Sequence, residues 1–354
     1  AQTDTSPTVI SQLASSAKQL PAKQSLALVR ALLDRSEFRN DPHIPLLLWW
    51  ALERNAVSHS DEVLQVFTRP EDWQNPFLRE VILGRLMRRY AGEGSNESLV
   101  ACARLLATAP QDSERRRMLT ELDAGLKMLG RERLPGLPLG PKYGNIAAIS
   151  RMEQTDQARR LKTIPPALAE QLATIWNDRT TDPLIIRVAL RLGSAAACDR
   201  VLALAADQRQ PEKTRLEMLA ILQELGESSE CLDTVLKLVD KSESDAIQRA
   251  ALNLLSRFSD ERITARLLAQ YPQMNADLRS QTRDVLLGRA DSALVFLKEI
   301  DAGTYPLTEV SADQLRRVAL HNDARLNELV RKHWGNIRAG TPEEKLAEIR
   351  RISN

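Results

Sequence analysis

Apolar residues recur at helical spacing along most of the chain, and they are densest at 41–53, DPHIPLLLWWALE. Five apolar residues follow one another there, from Leu46 to Trp50. A surface helix has one apolar stripe, whereas a helix that is apolar all round is buried on several sides. Pro42 and Pro45 lie at its start, where a helix tolerates proline because its first amides have no intrahelical partner. This run therefore predicts a helix packed between neighbouring helices.

The second half of the chain repeats an apolar pair at a nearly constant step. The pairs are Ala189–Leu190, Ile221–Leu222, Leu254–Leu255 and Leu286–Leu287. Each is followed by a turn and then by a second pair, at Val201–Leu202, Val235–Leu236, Leu267–Leu268 and Val295–Phe296. Two helices per unit at this period are typical of an α-solenoid, in which units stack to bury their apolar faces. We predict an all-α fold, an α-α superhelix of stacked antiparallel helix pairs resembling HEAT or armadillo repeats.

Proline and glycine interrupt the helical pattern most strongly in the segment 131–166. Eight of them occur there: Pro135, Gly136, Pro138, Gly140, Pro141, Gly144, Pro165 and Pro166. Long irregular segments in compact proteins are usually functional or serve as linkers. We predict four parts: N-terminal helical repeats in 1–130, a connecting segment in 131–166, HEAT-like repeats in 167–335, and a terminal helix or linker in 336–354.

Composition agrees with a helical, folded protein. Of the 354 residues, 43% are hydrophobic, 27% are charged and only 4% are aromatic. Leu, Ala and Arg are abundant, and these residues favour helix over strand. The formal charge of +2 makes the whole chain no obvious polyanion binder. The longest apolar run, at 44–52, is far shorter than the roughly 20 residues of a membrane-spanning helix, so no transmembrane segment is predicted.

No catalytic, cofactor-binding or metal-binding motif is recognisable. The three cysteines, Cys102, Cys198 and Cys231, are widely spaced and have no C-x-x-C among them, so we expect small buried residues rather than a disulfide framework or a zinc site. The four histidines are also dispersed, and no phosphate-binding glycine loop or nucleophile motif occurs. We therefore predict no catalytic residue, no metal and no cofactor for this chain.

Tryptophans and arginines of the first half are the candidate interaction surface. The set is Trp49, Trp50, Trp73, Arg85, Arg88, Arg89, Arg115, Arg116 and Arg117. HEAT-like DNA glycosylases combine a basic concave surface with tryptophans. Residues 76–134, however, have a net charge of only +3, which is lower than the net charge of most nucleic-acid-binding domains. Because adjacent helical residues point about 100° apart, one ring of the Trp49–Trp50 pair can face the core and the other a neighbouring repeat. Core packing is the expected role of this pair, and an exposed tryptophan that anchors an interface is the alternative.

Several runs resemble the helical-repeat region of large planctomycete-type proteins described as membrane-bound dehydrogenases or haem-binding proteins. The runs are D-P-x-I-P-L-L-L-W-W-A-L-E at 41–53, W-Q-N-P-F-L-R-E at 73–80, R-L-M-R-R-Y-A at 85–91 and A-C-A-R-L-L at 101–106. The end of the chain, at 333–337 and 341–345, resembles the run-up to the cytochrome domain of that family. The resemblance covers most of the chain, and the first hundred residues carry its specific part.

The resemblance implies a position within a larger protein. In that family a β-propeller resembling sugar dehydrogenases precedes the HEAT-repeat region, and a c-type cytochrome domain with C-x-x-C-H follows it. This chain has neither propeller strands nor C-x-x-C-H, so no dehydrogenase or haem-site residue is carried over. The resemblance implies a non-catalytic scaffold that links domains of an exported, periplasmic redox protein, with those flanking domains or another protein as partners. Nothing in the sequence specifies an oligomeric state.

Two other functions compete with this expectation. The arginine clusters beside tryptophans suggest a HEAT-like nucleic-acid-binding protein or DNA glycosylase, although the overall nucleic-acid signal is weak. A stand-alone adaptor that binds peptides in a concave groove is the third hypothesis, since helical-repeat proteins present extended concave binding surfaces. The three hypotheses share the predicted fold and differ in the partner.

Overall fold

The computed structural model describes residues 6–129, 164–178, 180–225 and 231–335. These residues form eighteen α-helices with a few short 3-10 and π-helical turns, and no strand occurs among them. The all-α prediction is therefore confirmed for this part of the chain. The chain divides into two compact units, unit 1 (Ala1–Arg200) and unit 2 (Val201–Asn354), and each is described by itself.

Unit 1 contains nine complete α-helices. They are α1 (Pro7–Ala17), α2 (Ala22–Leu33), α3 (Ile44–Ala56), α4 (Ser60–Phe67), α5 (Gly84–Glu93), α6 (Asn96–Thr108), α7 (Asp112–Met128), α8 (Pro166–Asp178) and α9 (Pro183–Arg191). The first layer places α1, α3, α5, α7 and α9 side by side, and the second layer does the same with α2, α4, α6 and α8. Each helix of a layer therefore contacts the next but one along the chain.

Unit 2 contains eight further helices, after α10 (Ala195–Ala206), which spans the division. They are α11 (Glu212–Leu225), α12 (Leu232–Lys237), α13 (Asp245–Leu255), α14 (Glu261–Gln270), α15 (Ala276–Leu287), α16 (Ala290–Asp301), α17 (Ala312–Ala319) and α18 (Ala324–Trp334). Here α11, α13, α15 and α17 contact one another in succession, and α14, α16 and α18 form a second row. The same alternation of layers therefore occurs in both units.

Local capping signals start many of these helices. The side chains of Ser95, Asp182, Ser244, Asp260, Asn275, Ser311 and Asp323 each accept a hydrogen bond from a backbone N–H in the first turn. Such caps satisfy amides that have no intrahelical partner. Ser311 and Gln314 additionally form a reciprocal capping box. The short turns between helices are thus specified by side chains in the turns themselves.

Helices α5 and α7 pack unusually closely at Gly125. A Cβ atom at this position would lie 2.5 Å from both the Ala91 Cβ and the Arg88 carbonyl oxygen, so no side chain fits without moving a backbone. Gly84 of α5 also faces α7, but a Cβ atom added there would lie 3.2 Å from its nearest neighbour, the flexible Glu121 side chain. The approach at Gly125 brings the Arg88 side chain of α5 beside Glu121 of α7, where the Arg88 Nε–Glu121 Oε2 distance is 2.7 Å.

Buried ion pairs join segments that are distant in sequence. In unit 1, Arg30 donates to the Asp72 carboxylate at 2.5 Å, and the Asp72 side chain is fully buried. In unit 2, Arg215 Nη1 lies 2.8 Å from Glu243 Oε2, and both side chains are less than a tenth exposed. Each pair ties a helix to the segment before a later helix. Removing one partner of such a pair leaves an uncompensated buried charge.

The predicted helices are found at the predicted places. All eight apolar pairs of the second half lie within α9 to α16. A π-helical turn, Leu78–Leu83, directly precedes α5. The predicted connecting segment 131–166 lies almost wholly outside the described residues, as does the predicted terminal helix or linker 336–354. The four-part division of the chain stays a prediction.

Candidate functional site

The three tryptophans of the predicted surface differ sharply in exposure. Trp49 is 8% exposed and Trp73 is 3% exposed, whereas Trp50 is 43% exposed. Trp49 and Trp50 are consecutive on α3, so the angle between adjacent helical residues places one ring in the core and the other at the surface. Trp50 is therefore the tryptophan of this set that a partner can reach, and the other two are packing residues.

Helix α3 is buried except for one narrow stripe. It contacts α1, α2, α4 and α5, as the apolar run at 41–53 predicts. Its exposed positions are Leu46, Trp50 and Arg54, four residues apart. Such positions lie on one face of a helix. Two large apolar side chains thus occupy the only exposed stripe of a helix that is otherwise enclosed.

Cations flank the Trp50 ring on the α1 side. Lys18 Nζ lies 5.9 Å from the ring centroid, within the range at which an ammonium is attracted to an aromatic face. Arg54 donates a hydrogen bond to the Lys18 carbonyl oxygen. The end of α1 is therefore held beside Trp50, with the Lys18 ammonium near its ring.

Helix α5 contributes the first arginine group. Arg85 is exposed, and its guanidinium carbon lies 5.9 Å from the centroid of the Trp49 ring. Arg88 is paired with Glu121, and Arg89 lies 3.2 Å from Glu93 and 3.9 Å from Glu53. The α3–α5 surface is defined here as Leu46, Trp50, Arg85, Arg88 and Arg89.

Helix α7 carries the second arginine group, Arg115, Arg116 and Arg117, near its N-terminus. Arg115 lies 3.3 Å from Asp112, and Arg116 is paired with Asp182. These two arginines border a cavity of about 180 Å³ between α7, α8 and α9, which is also lined by Asp112, Leu119, Gln171, Thr174, Ile175 and Ile185. The predicted nine-residue set therefore falls into three places: the α3–α5 surface with Trp49, the α7 end, and the separate buried Trp73.

Most of these arginines have a carboxylate partner. Within the described ranges, Arg85 and Arg117 have no carboxylate within 4 Å, while Arg88, Arg89, Arg115 and Arg116 each have at least one. Hydrogen bonds from Arg79 and Ser113 lower the pKa values of the Glu80 and Glu114 carboxyl groups, and the charge of Arg117 lowers both pKa values by a smaller amount. Most of the positive charge on these helices is thus neutralised within the protein.

Two side chains of unit 1, Tyr90 and Cys102, are fully buried and have strongly raised pKa values. Burial raises the pKa of the Cys102 thiol, which is fully enclosed between α5 and α6. Burial also raises the pKa of Tyr90, whose hydroxyl has no hydrogen-bond partner in the described structure. A reactive thiol needs a lowered pKa and access to solvent. Cys102 is therefore a packing residue, as its position in a helical pattern predicts.

The described part of the chain offers no group of three or more His, Cys, Asp or Glu side chains that could hold a metal ion. Among the same residues, no helix is long and apolar enough to cross a membrane.

Unit 2 contains a regular set of cross-links that sequence reasoning missed. Arg257 donates to the carbonyl oxygen of Gln223, Arg289 donates to that of Ser256, and His321 Nε2 lies 2.8 Å from that of Leu287. The acceptors lie at or near the carboxyl ends of α11, α13 and α15, where carbonyl groups lack intrahelical partners. The donors, at positions 257, 289 and 321, recur evenly and at nearly the same step as the apolar pairs. This spacing could have indicated the cross-links from the sequence alone.

The chain was compared with protein-family models, with curated protein sequences and with solved structures, and none of the three comparisons found a match.

Proposed function

We propose that this chain is a non-catalytic helical-repeat scaffold that binds a protein partner through the α3–α5 surface. Its architecture would be a superhelix of HEAT-like pairs. Two observations support this proposal: apolar pairs recur at a nearly constant step through the second half of the chain, and in each unit a helix contacts the next but one along the chain. Stacking of this kind gives an extended surface, which repeat proteins use for binding.

The observation that carries the proposal is the exposure of Leu46 and Trp50. They are 39% and 43% exposed, on a helix whose remaining positions are largely enclosed. Tryptophan and arginine are among the residues most enriched at interface positions that dominate binding energy. Because Lys18 and Arg85 lie beside the two tryptophans of α3, we infer a partner surface with an apolar centre and acidic residues around it.

The connecting role in a larger redox protein rests on the family resemblance of the first hundred residues. A semi-rigid repeat segment would hold a propeller domain and a haem domain at a fixed distance, and the α3–α5 surface would contact one of them. The sequence of the complete gene tests this role. We expect a propeller before this segment and a C-x-x-C-H domain after it, and a reading frame with neither would rule the connecting role out.

A second candidate function is nucleic-acid binding, which the unpaired Arg85 and Arg117 favour. The pairing of the other arginines speaks against it, since a paired guanidinium neutralises fewer phosphates. If duplex DNA were the partner, affinity would fall steeply with salt, by a slope that counts the neutralised phosphates. We expect weak binding at low salt that does not change when Arg115, Arg116 and Arg117 are replaced by Ala.

A quantitative pull-down from the source cells tests the proposed surface. The tagged wild-type chain is compared with the double variant Leu46→Glu, Trp50→Glu and with a control, Gln65→Glu, which changes an exposed residue of the second layer. We expect a protein partner that the wild type and the control retain equally and that the double variant loses at least tenfold. A partner retained equally by all three chains would refute this surface.

A further inference from the structure

Unit 2 contains a groove of about 600 Å³ that the α3–α5 surface does not involve. It lies between the turn that joins α13 to α14 and the turn that joins α15 to α16. Its walls come from the carboxyl ends of α13 and α15 and from the first turns of α14 and α16. A volume of this size is within the range of pockets that hold small ligands or the side chains of a bound peptide.

The groove has an apolar lining that reaches the surface. Phe258, Leu268 and Val285 are partly exposed, Ile263 forms part of the buried floor, and Val295 is 43% exposed. Val295 precedes the buried Phe296 of the apolar pair on α16, so the two side chains point in different directions. Exposed apolar side chains that line a concavity gain free energy when a ligand removes them from water.

Arg289 is the cation of this lining, and its charge has no partner there. It is partly buried, and burial lowers the pKa of its guanidinium. One of its N–H groups donates to the Ser256 carbonyl oxygen at 3.3 Å, which leaves most of the five donors of a guanidinium unused. No carboxylate of the described residues forms an ion pair with it. A desolvated, unpaired charge is stabilised by an incoming opposite charge.

The acidic side chains around the groove either bind another arginine or lie exposed on the rim. Asp260 is already engaged, because it accepts hydrogen bonds from Arg262 at 3.0 Å. Glu261 and Asp291 are exposed on the rim, in the first turns of α14 and α16. They repel a second negative charge near the opening, so the charge pattern suits a ligand with one carboxylate and neutral or basic groups around it.

We propose that this groove binds a short peptide segment of a partner protein, with a large apolar side chain against Phe258 and Val295 and a neighbouring Asp or Glu carboxylate on Arg289. Charge complementarity at Arg289 and the apolar lining together specify this chemistry. The site goes beyond the proposed function, because it shares no residue with the α3–α5 surface. It gives the chain a second interaction site, selective for an apolar residue beside an acidic one.

Selection of random 12-residue peptides displayed on phage, followed by fluorescence anisotropy with the synthetic winners, tests this proposal. We expect the selected peptides to share a large apolar residue within two positions of Asp or Glu. Arg289→Gln and Val295→Glu should each weaken their binding at least tenfold, and replacing the peptide acid by its amide should do the same. Val9→Glu, at an exposed position of α1, is the matched control and should bind as the wild type does.

Circular dichroism and thermal unfolding establish that each variant is folded. If Arg289→Gln unfolds the chain, Arg289→Lys together with the acid-to-amide peptide pair still tests the charge contact. The proposal is overturned if no peptide is enriched, if the winners lack an acidic residue, or if binding survives both groove variants. A concentration-dependent dimer that Val295→Glu abolishes, without peptide binding, would overturn it in favour of a second copy of the chain.

Discussion

Replacing Trp49 and Trp50 one at a time by alanine should have very different effects on stability, although the residues are adjacent. Trp49 is 8% exposed within a helix that four others enclose. Truncating a buried tryptophan to alanine costs about 3–5 kcal/mol, because apolar contacts are lost and a cavity remains. The contact with Arg85 adds about 0.5–1 kcal/mol. Trp50 is 43% exposed; because surface substitutions usually cost little and its ring also has a cation, Lys18, nearby, its truncation should cost only about 0.5–1 kcal/mol.

Urea unfolding monitored by circular dichroism measures the difference between the two variants. With a slope of about 3 kcal/mol per molar urea, Trp49→Ala should lower the transition midpoint by about 1.2–2 M, and Trp50→Ala should lower it by only about 0.2–0.3 M. Unchanged slopes would show that the same structure unfolds in each variant. Equal destabilisation by both variants, or a larger effect of Trp50→Ala, would refute the placement of one ring inside and one outside.

Three further predictions concern packing, a buried charge and a buried hydroxyl. Gly125→Ala should destabilise unit 1 by about 1–3 kcal/mol because its Cβ has no room, whereas Gly84→Ala, which meets only a flexible side chain, should be tolerated in the same thermal melt. Glu243→Leu should cost about 3–5 kcal/mol by leaving Arg215 buried and unpaired, and adding Arg215→Met should restore part of that loss in urea unfolding. Burial raises the pKa of Tyr271 to about 12 from 10.0, so its neutral form contributes stability that is intact below pH 10 and lost between pH 10 and 12. That alkaline loss should be smaller in Tyr271→Phe; an identical pH profile in the variant would contradict the placement.

The ionic state of Glu243 also has a low-pH consequence. Burial raises the pKa of its carboxyl group, and the hydrogen bonds from Arg215 and Gln208 outweigh that effect, so the pKa lies below its ordinary value. The stability that this carboxylate contributes is therefore present above its unfolded pKa of about 4.5 and is lost as the pH falls below it. The Glu243 carboxylate is held by the Arg215 guanidinium, so the Glu243→Leu and Arg215→Met variants described above test the same ion pair.

Helices and their burial could be predicted from the sequence because they depend on local spacing. The apolar run at 41–53 became α3, which is enclosed by four helices. Helix α7 also depends on local signals, namely the acidic residues in its first turn and its long amphipathic pattern. The paired apolar residues of the second half all fall within helices for the same reason.

Side-chain pairing between distant helices could not be predicted in this way. Arg30 and Asp72 are 42 residues apart, and Arg191 and Asp123 are 68 apart. Which arginine meets which carboxylate depends on how helices pack, and the sequence contains many arginines and carboxylates on helix faces. The sequence therefore suggested that the two arginine groups were free to bind a partner, although most of these arginines have carboxylate partners in the structure.

The candidate surface was predicted in part. Core packing was the expected role of the Trp49–Trp50 pair, which holds for Trp49, but Trp50 is 43% exposed and matches the alternative of an exposed ring. Trp73 was placed in the set because of its proximity in sequence, but it lies in a short 3-10 turn and is buried. The groove at Arg289 is formed by two turns that are distant in the sequence, so it exists only once the helices are stacked.

Photo-crosslinking from position 50 tests the central claim, that the exposed stripe of α3 is a protein-binding surface. A benzoylphenylalanine replaces Trp50 in one chain and Gln65, in the second layer, in a control chain, and both are irradiated in the source cells. The account predicts a discrete protein adduct from position 50 that the control does not form and that Leu46→Glu removes. The absence of any protein adduct from position 50, or the same adduct from both positions, would contradict it.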